Sequence, residues 1–299
     1  MENAWRAVYD SPECRDPWGN PSRFAQYIDV ELTNRCNLRC VFCARQKMVR
    51  PLGLASLSAL YSYCREAKAC GARGVRFIRW GEPTLHPHFP EAVSLAKISG
   101  LLTHVTTNGL KLRRWADWID GLDSMIVSMQ GVTPEGYRQM RGDHYDEVVA
   151  GIETVMAMPN RPHVTLSTTI LDECLAVQEE FRRHWEPRVD AVQIGYTTLK
   201  RVATSPAVVP LLHRAAELPM DFRCKEILTK LSIDWDGTVT ACCTDYDRRR
   251  MLGHVSDGLQ NLWDSPLRRA LCGVTDQARL DLLTHCSDCE LNFPFRGDV

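Results

Sequence analysis

The chain has 299 residues, 44% hydrophobic and 24% charged, enough for one large core or for a core with a smaller unit appended. A formal net charge of -1 excludes a global electrostatic preference for nucleic acid or an anionic membrane surface. A basic segment followed by an apolar one is absent from the start, and no run of about 18 apolar residues occurs, so a cytoplasmic protein with no membrane partner is expected. Thirteen cysteines, in a chain too large to need disulfides, point instead to metal or redox chemistry.

Residues 1–26 form an N-terminal extension ahead of the first strand signal. From there to about residue 205, β-rich runs alternate with helix-length segments. The strands are expected at "YIDVEL" (27–32), "GVRFIRW" (74–80), "LTHVTTNG" (102–109), "DSMIVSMQ" (123–130), "HVTLSTTI" (163–170) and "DAVQIGY" (190–196). Between the first two lies "SLSALYSYCREAKACG", with Gly71 where a helix would stop. Alternating strands and helices imply an α/β fold with a parallel sheet. Six such units make a partial (β/α)6 TIM-like barrel, short of the full eight, with function at the C-terminal strand ends.

After a linker-like "RVATSPAVVP", a second unit covers 206–299. Its "LSIDWDGTVTACC" reads as two short strands around an Asp236-Gly237 turn.

Cys36, Cys40 and Cys43 sit in "CNLRCVFC", just past the first strand. Three thiolates can each ligate one iron of a cubane cluster and leave the fourth iron open. A zinc site short of one ligand, or three buried thiols, are the plainer alternatives. With Phe42 before the last cysteine, this spacing resembles the signature of the radical S-adenosylmethionine (radical SAM) enzymes. The resemblance implies a 4Fe-4S cluster whose open iron is chelated by SAM, and reductive cleavage to a 5'-deoxyadenosyl radical that takes hydrogen from unactivated carbon.

The same resemblance extends along the barrel. "RWGEP" (79–83) stands where the family has "GGEP", with Gly81 and Glu82 matching and Trp80 replacing the first glycine. Asn108 in "TTNG" and Ser128 late in the fourth strand fall at levels where related enzymes contact the cofactor. The family's glycine-containing adenine motif is not visible in the fifth strand.

Cys224, Cys242, Cys286 and Cys289 supply a second ligand set, spaced C-x12-G-x4-C and then CxxC. Four such thiols suit structural zinc. Beside the first cluster, and with "GTVTACCTD" and "LGHVSDGLQNLWDSP" between them, they resemble the twitch domain, a shortened SPASM domain. That resemblance implies a second, auxiliary 4Fe-4S cluster.

Cys243 directly follows a proposed ligand, and neighbours in an extended chain point to opposite faces, so Cys243 is expected to face the barrel mouth. A thiol there would return hydrogen to a carbon radical, which is epimerisation. Cys174 in "LDECL" is the second candidate, and packing is the alternative role for either. The short segment before the first strand leaves no room for a leader-peptide domain, which favours a small molecule.

The second unit resembles that of the epimerases and dehydrogenases of aminoglycoside biosynthesis. An aminosugar substrate and an electron donor such as flavodoxin or ferredoxin are then expected, with Glu31, Asp172, Glu173 and Asp245 as candidates for binding ammonium groups. Epimerisation is the favoured outcome. The alternatives are oxidation of an alcohol to a ketone, with the auxiliary cluster accepting an electron, and a non-catalytic iron-sulfur or zinc protein.

Overall fold

A computed structural model of the chain describes residues 3–9, 23–119, 121–170, 175–196, 225–243 and 245–276. All six expected strands form: β1 (Tyr27–Val30), β2 (Gly74–Phe77), β3 (Leu102–Thr107), β4 (Ser124–Ser128), β5 (His163–Ile170) and β6 (Ala191–Tyr196). They pair in parallel in sequence order. The short helix α1 (Ala4–Tyr9) precedes them, and α2 (Leu57–Cys70), α3 (Phe89–Ile98), α4 (Leu112–Ile119), α5 (Pro134–Arg141), α6 (Tyr145–Met156) and α7 (Leu175–Trp185) lie between them. α2 stops at Gly71, whose left-handed backbone (φ +114°) lets its N–H reach the carbonyls of Ala67 and Lys68.

The strand period of two divides the side chains. Ile28, Val30, Val75, Phe77, Val105, Met125, Val127, Val164 and Leu166 are buried in one core with Leu60, Ala67, Phe89, Val93, Val148 and Ile152 of the helices. Each of the larger side chains among them contributes roughly 1.5–3 kcal/mol on burial. The alternate residues Asp29, Arg76, His104, Ser124 and His163 share the inner face in register. At the N-terminal end of the strands, Trp5 of α1 stacks on His104, with ring centroids 5.1 Å apart. Gly74 makes this possible, since a Cβ there would lie 2.3 Å from the indole.

The second unit differs from a separate appendage. After α8 (Lys225–Thr229), β7 (Lys230–Ile233) pairs in parallel with β1, so the barrel sheet gains a seventh parallel strand. β8 (Thr238–Thr240) and β9 (Met251–His254) then extend the same sheet in antiparallel fashion. The expected hairpin turn is present: Asp234 N donates to Thr238 O at 2.8 Å, and Gly237 N to Asp234 O at 2.9 Å. Helices α9 (Leu259–Trp263) and α10 (Pro266–Asp276) follow. The expected linker lies outside the described residues. Among the described residues, no helix is long and apolar enough to cross a membrane.

Candidate active site

Cys36, Cys40 and Cys43 lie on the loop leaving β1, ahead of a 3-10 turn over Ala44–Lys47. Val41 N donates to Met140 O at 3.1 Å, which seats this loop on the end of α5. Three N–H donors are aimed at its sulfurs. Leu38 N and Asn108 Nδ2 reach Cys36 Sγ at 3.5 and 3.9 Å, and Arg141 Nη1 reaches Cys40 Sγ at 3.7 Å. Donors directed at sulfur favour thiolates and tune a bound cluster, so the residues present fit an iron-sulfur group. Burial pushes the Cys36 thiol up to about 11 and raises Cys43 as well, and ligation must therefore displace protons.

Arg141 was invisible to sequence reasoning. It lies 101 residues after Cys40 and also covers the ring of Phe42, with its guanidinium 5.0 Å from the centroid. Only the fold brings the last residue of α5 to this loop.

The segment after β2 is held against the cysteine loop. A Cβ on Gly81 would lie 1.8 Å from Thr33 O, so no other residue fits that approach. Glu82 N donates to Arg35 O at 2.8 Å. The Glu82 carboxylate is buried and fully engaged: Oε1 accepts from Thr84 N, Thr84 Oγ1 and Thr107 Oγ1, and Oε2 from Asn108 N at 2.7 Å. Burial pushes its pKa up, and these donors counter the shift. Glu82 thus ties the ends of β2 and β3 together. Asn108 passes the link on to Asn37 Oδ1 at 2.8 Å and to Cys36. Glu82→Ala leaves these donors without an acceptor and is expected to cost about 2–3 kcal/mol. A midpoint in urea unchanged from that of the unsubstituted protein would contradict this role.

Trp80 accommodates the position of the missing glycine. Its backbone N–H donates to Glu31 Oε1 at 3.3 Å and its ring stands edge-on to Tyr246, with centroids 5.5 Å apart. Ser128 ends β4 opposite Ser167, half-buried on the inner face. It forms no hydrogen bond with the cysteine loop among the described residues. Phe42, Gly81, Glu82 and Asn108 are therefore gathered around the loop, while Ser128 stands apart on a neighbouring strand.

The inner face of β1, β2 and β7 carries paired charges. Asp29 receives Arg76 at 2.7 Å and Lys230 at 2.6 Å; burial opposes its charge, but the two cations hold its pKa well below the usual range. Lys230 also contacts Glu226. Glu31, expected to serve an ammonium group, is instead gripped at both oxygens by Arg50, at 2.7 and 2.6 Å. Asp245 accepts from Arg249 N and Arg250 N at 2.9 and 2.6 Å and so caps its own loop. Asp172 and Glu173 lie outside the described residues.

Of the second ligand set, Cys242 alone is described; Cys224, Cys286 and Cys289 lie outside the described residues, as does Cys174. Cys243 is half-buried. It does not point away from Cys242: the two thiols share a hydrogen bond, which together with burial pushes Cys243 well above the ordinary thiol range. The physical reason is that β8 ends at Thr240, so the alternation of an extended strand no longer applies at 242 and 243. Lys230 and Glu226 stand in the electrostatic surroundings of Cys243.

Comparison with known proteins matches two stretches of the chain to families. Residues 30–176 match the radical SAM superfamily, and residues 224–290 match an iron-sulfur cluster-binding domain, SPASM. The chain thus carries a radical SAM domain, which binds a 4Fe-4S cluster and SAM, followed by a domain that binds auxiliary iron-sulfur clusters. This is the composition of a radical SAM enzyme with an auxiliary-cluster domain.

Among curated proteins, the chain is 32% identical over 175 residues to GTP 3',8-cyclase of Chlorobaculum tepidum, covering 54% of this chain and 52% of that one. It therefore spans about half the length of the curated relatives it matches, and these relatives are cyclases, not aminoglycoside epimerases. Among solved structures, Streptococcus suis SuiB bound to precursor peptide SuiA gives a TM-score of 0.70 at 14% identity, covering 91% of this chain and 71% of that one. BtrN in complex with AdoMet and 2-DOIA gives 0.56 at 15% identity, covering 89% and 93%. At such identities the likeness is one of fold.

Proposed function

We propose that the protein is a radical SAM epimerase that inverts one carbon of a hydroxyl-rich, aminosugar-type small molecule. The observation that carries this reading is the character of the inner face. Among the described residues, Arg76, Arg79 and Lys230, and the inserted Arg50, are each already paired with a carboxylate. The inner positions of β3–β5 present Thr106, Ser128, Ser167 and Thr169, all half-buried. Neutral hydroxyl groups match the hydroxyls of a sugar. The triphosphate of GTP, the substrate named for the curated relatives, would instead call for unpaired cations.

When bound, the reduced cluster and SAM supply a 5'-deoxyadenosyl radical, which takes one hydrogen atom from the substrate carbon. The chain's own contribution begins with holding the substrate and keeping water and other hydrogen donors away. Cys243 then gives the hydrogen of its S–H bond to the opposite face of the carbon radical. The inverted C–H bond forms, and a sulfur-centred radical remains on Cys243. One electron from a flavodoxin- or ferredoxin-type donor and one proton restore the thiol. Each turnover thus consumes two electrons, one for SAM and one for sulfur, and one proton. Oxidation to a ketone would need no such thiol. The experiment is anaerobic incubation with SAM, a reductant and either an aminoglycoside panel or GTP. Formation of 5'-deoxyadenosine should be stimulated by an aminoglycoside; stimulation by GTP alone would contradict the reading.

A further inference from the structure

We propose that Arg79 is a positioning residue that fixes the Cys242–Cys243 turn against the Gly81-Glu82-Pro83 segment, and so sets where the Cys243 thiol stands relative to the cofactor segment. The inference rests on the reading of Cys243 as hydrogen donor. Arg79 lies two residues before the proposed cofactor segment, and its side chain is fully buried. Its guanidinium has four partners on the hairpin. Nε and Nη2 donate to Asp234 Oδ1 at 3.2 and 2.7 Å, and Nη2 also to Thr240 Oγ1 at 3.1 Å. Nη1 donates to the carbonyls of Cys242 and Cys243 at 3.1 and 3.4 Å.

A second observation sets this contact apart from ordinary packing. Among the described residues, two non-glycine residues have positive φ, Arg79 at 106° and Arg248 at 63°, and both donate to Asp234. Such backbone persists only where its surroundings impose it, and it clusters at functional sites. Here the strain has an identifiable product. Four consecutive residues reach both cysteine loops: Glu82 N holds Arg35 O beside Cys36, and Arg79 holds the carbonyls at 242 and 243. A planar fork with several fixed donors is what this geometry uses, and lysine does not supply it.

The test is made on anaerobic holoenzyme carrying Arg79→Gln or Arg79→Lys. Iron content, the rate of Cys243 alkylation by iodoacetamide read from peptide mass, and the ratio of 5'-deoxyadenosine to epimer are measured. With iron content retained, alkylation of Cys243 should accelerate at least tenfold in Arg79→Gln. The ratio should rise by a similar factor, because hydrogen abstraction continues while its return is misaligned. Arg79→Lys, which keeps the charge and loses the fork, should fall between. Unchanged alkylation and an unchanged ratio in an iron-replete variant would overturn the proposal, as would loss of iron in both variants, since a purely structural role would then suffice. If the unsubstituted enzyme makes a ketone and no epimer, the reading of Cys243 fails, while the alkylation arm still judges Arg79.

Discussion

Cys243→Ala is expected to abolish epimer formation while 5'-deoxyadenosine continues to form. The loss should reach at least about a hundredfold, equivalent to about 2.7 kcal/mol at 1.36 kcal/mol per factor of ten. The two activities separate because hydrogen abstraction precedes hydrogen return and does not use the thiol. Cys243 is half-buried, with Lys230 and Glu226 in its electrostatic surroundings. Epimer made by Cys243→Ala at the normal rate would assign the hydrogen to another group, and Cys174→Ala is then the variant to measure.

The second large effect is expected from Cys40→Ala. Removing one of three thiolates leaves too few ligands for a stable cubane, so the iron count should fall by roughly four atoms. SAM cleavage should drop to the background of enzyme-free controls, because the open iron that would chelate SAM and pass it the electron is lost with the cluster. The auxiliary-cluster domain should keep its iron, since its proposed ligands Cys224, Cys242, Cys286 and Cys289 are untouched. Retained SAM cleavage in iron-counted Cys40→Ala protein would refute the assignment of this loop. The contact between Arg141 and Cys40 Sγ would then be structural only.

The sequence made legible what local chemistry writes. The six strands, the helix stop at Gly71 and the Asp236-Gly237 turn all rest on signals carried within a few residues, and each formed as expected. The parallel pairing of β7 with β1 did not show, because it joins residues about 200 positions apart, such as Lys230 and Asp29. Nothing in either segment names the other. The same holds for Arg79 and Asp234, and for Arg141 and Cys40, whose meeting is a property of the closed sheet and its helices. Glu31 was legible as an acidic residue at a strand end, but its partner Arg50 is defined by the return of the cysteine loop. The alternation expected at Cys242 and Cys243 does not apply for a local reason: the strand ends at Thr240, before either residue. Trp80 stands where the family has a glycine, and it is the next residue, Gly81, that makes the close backbone approach.

The most direct test of the proposed epimerase is the mass of the product formed in D2O from an accepted aminoglycoside, with SAM and a reductant under anaerobic conditions. The Cys243 thiol exchanges its hydrogen with solvent, so the account predicts an isomer of changed retention carrying one deuterium, a gain of about one mass unit. A product lighter by about two mass units would mean that two hydrogens leave as the alcohol is oxidised, and would contradict it.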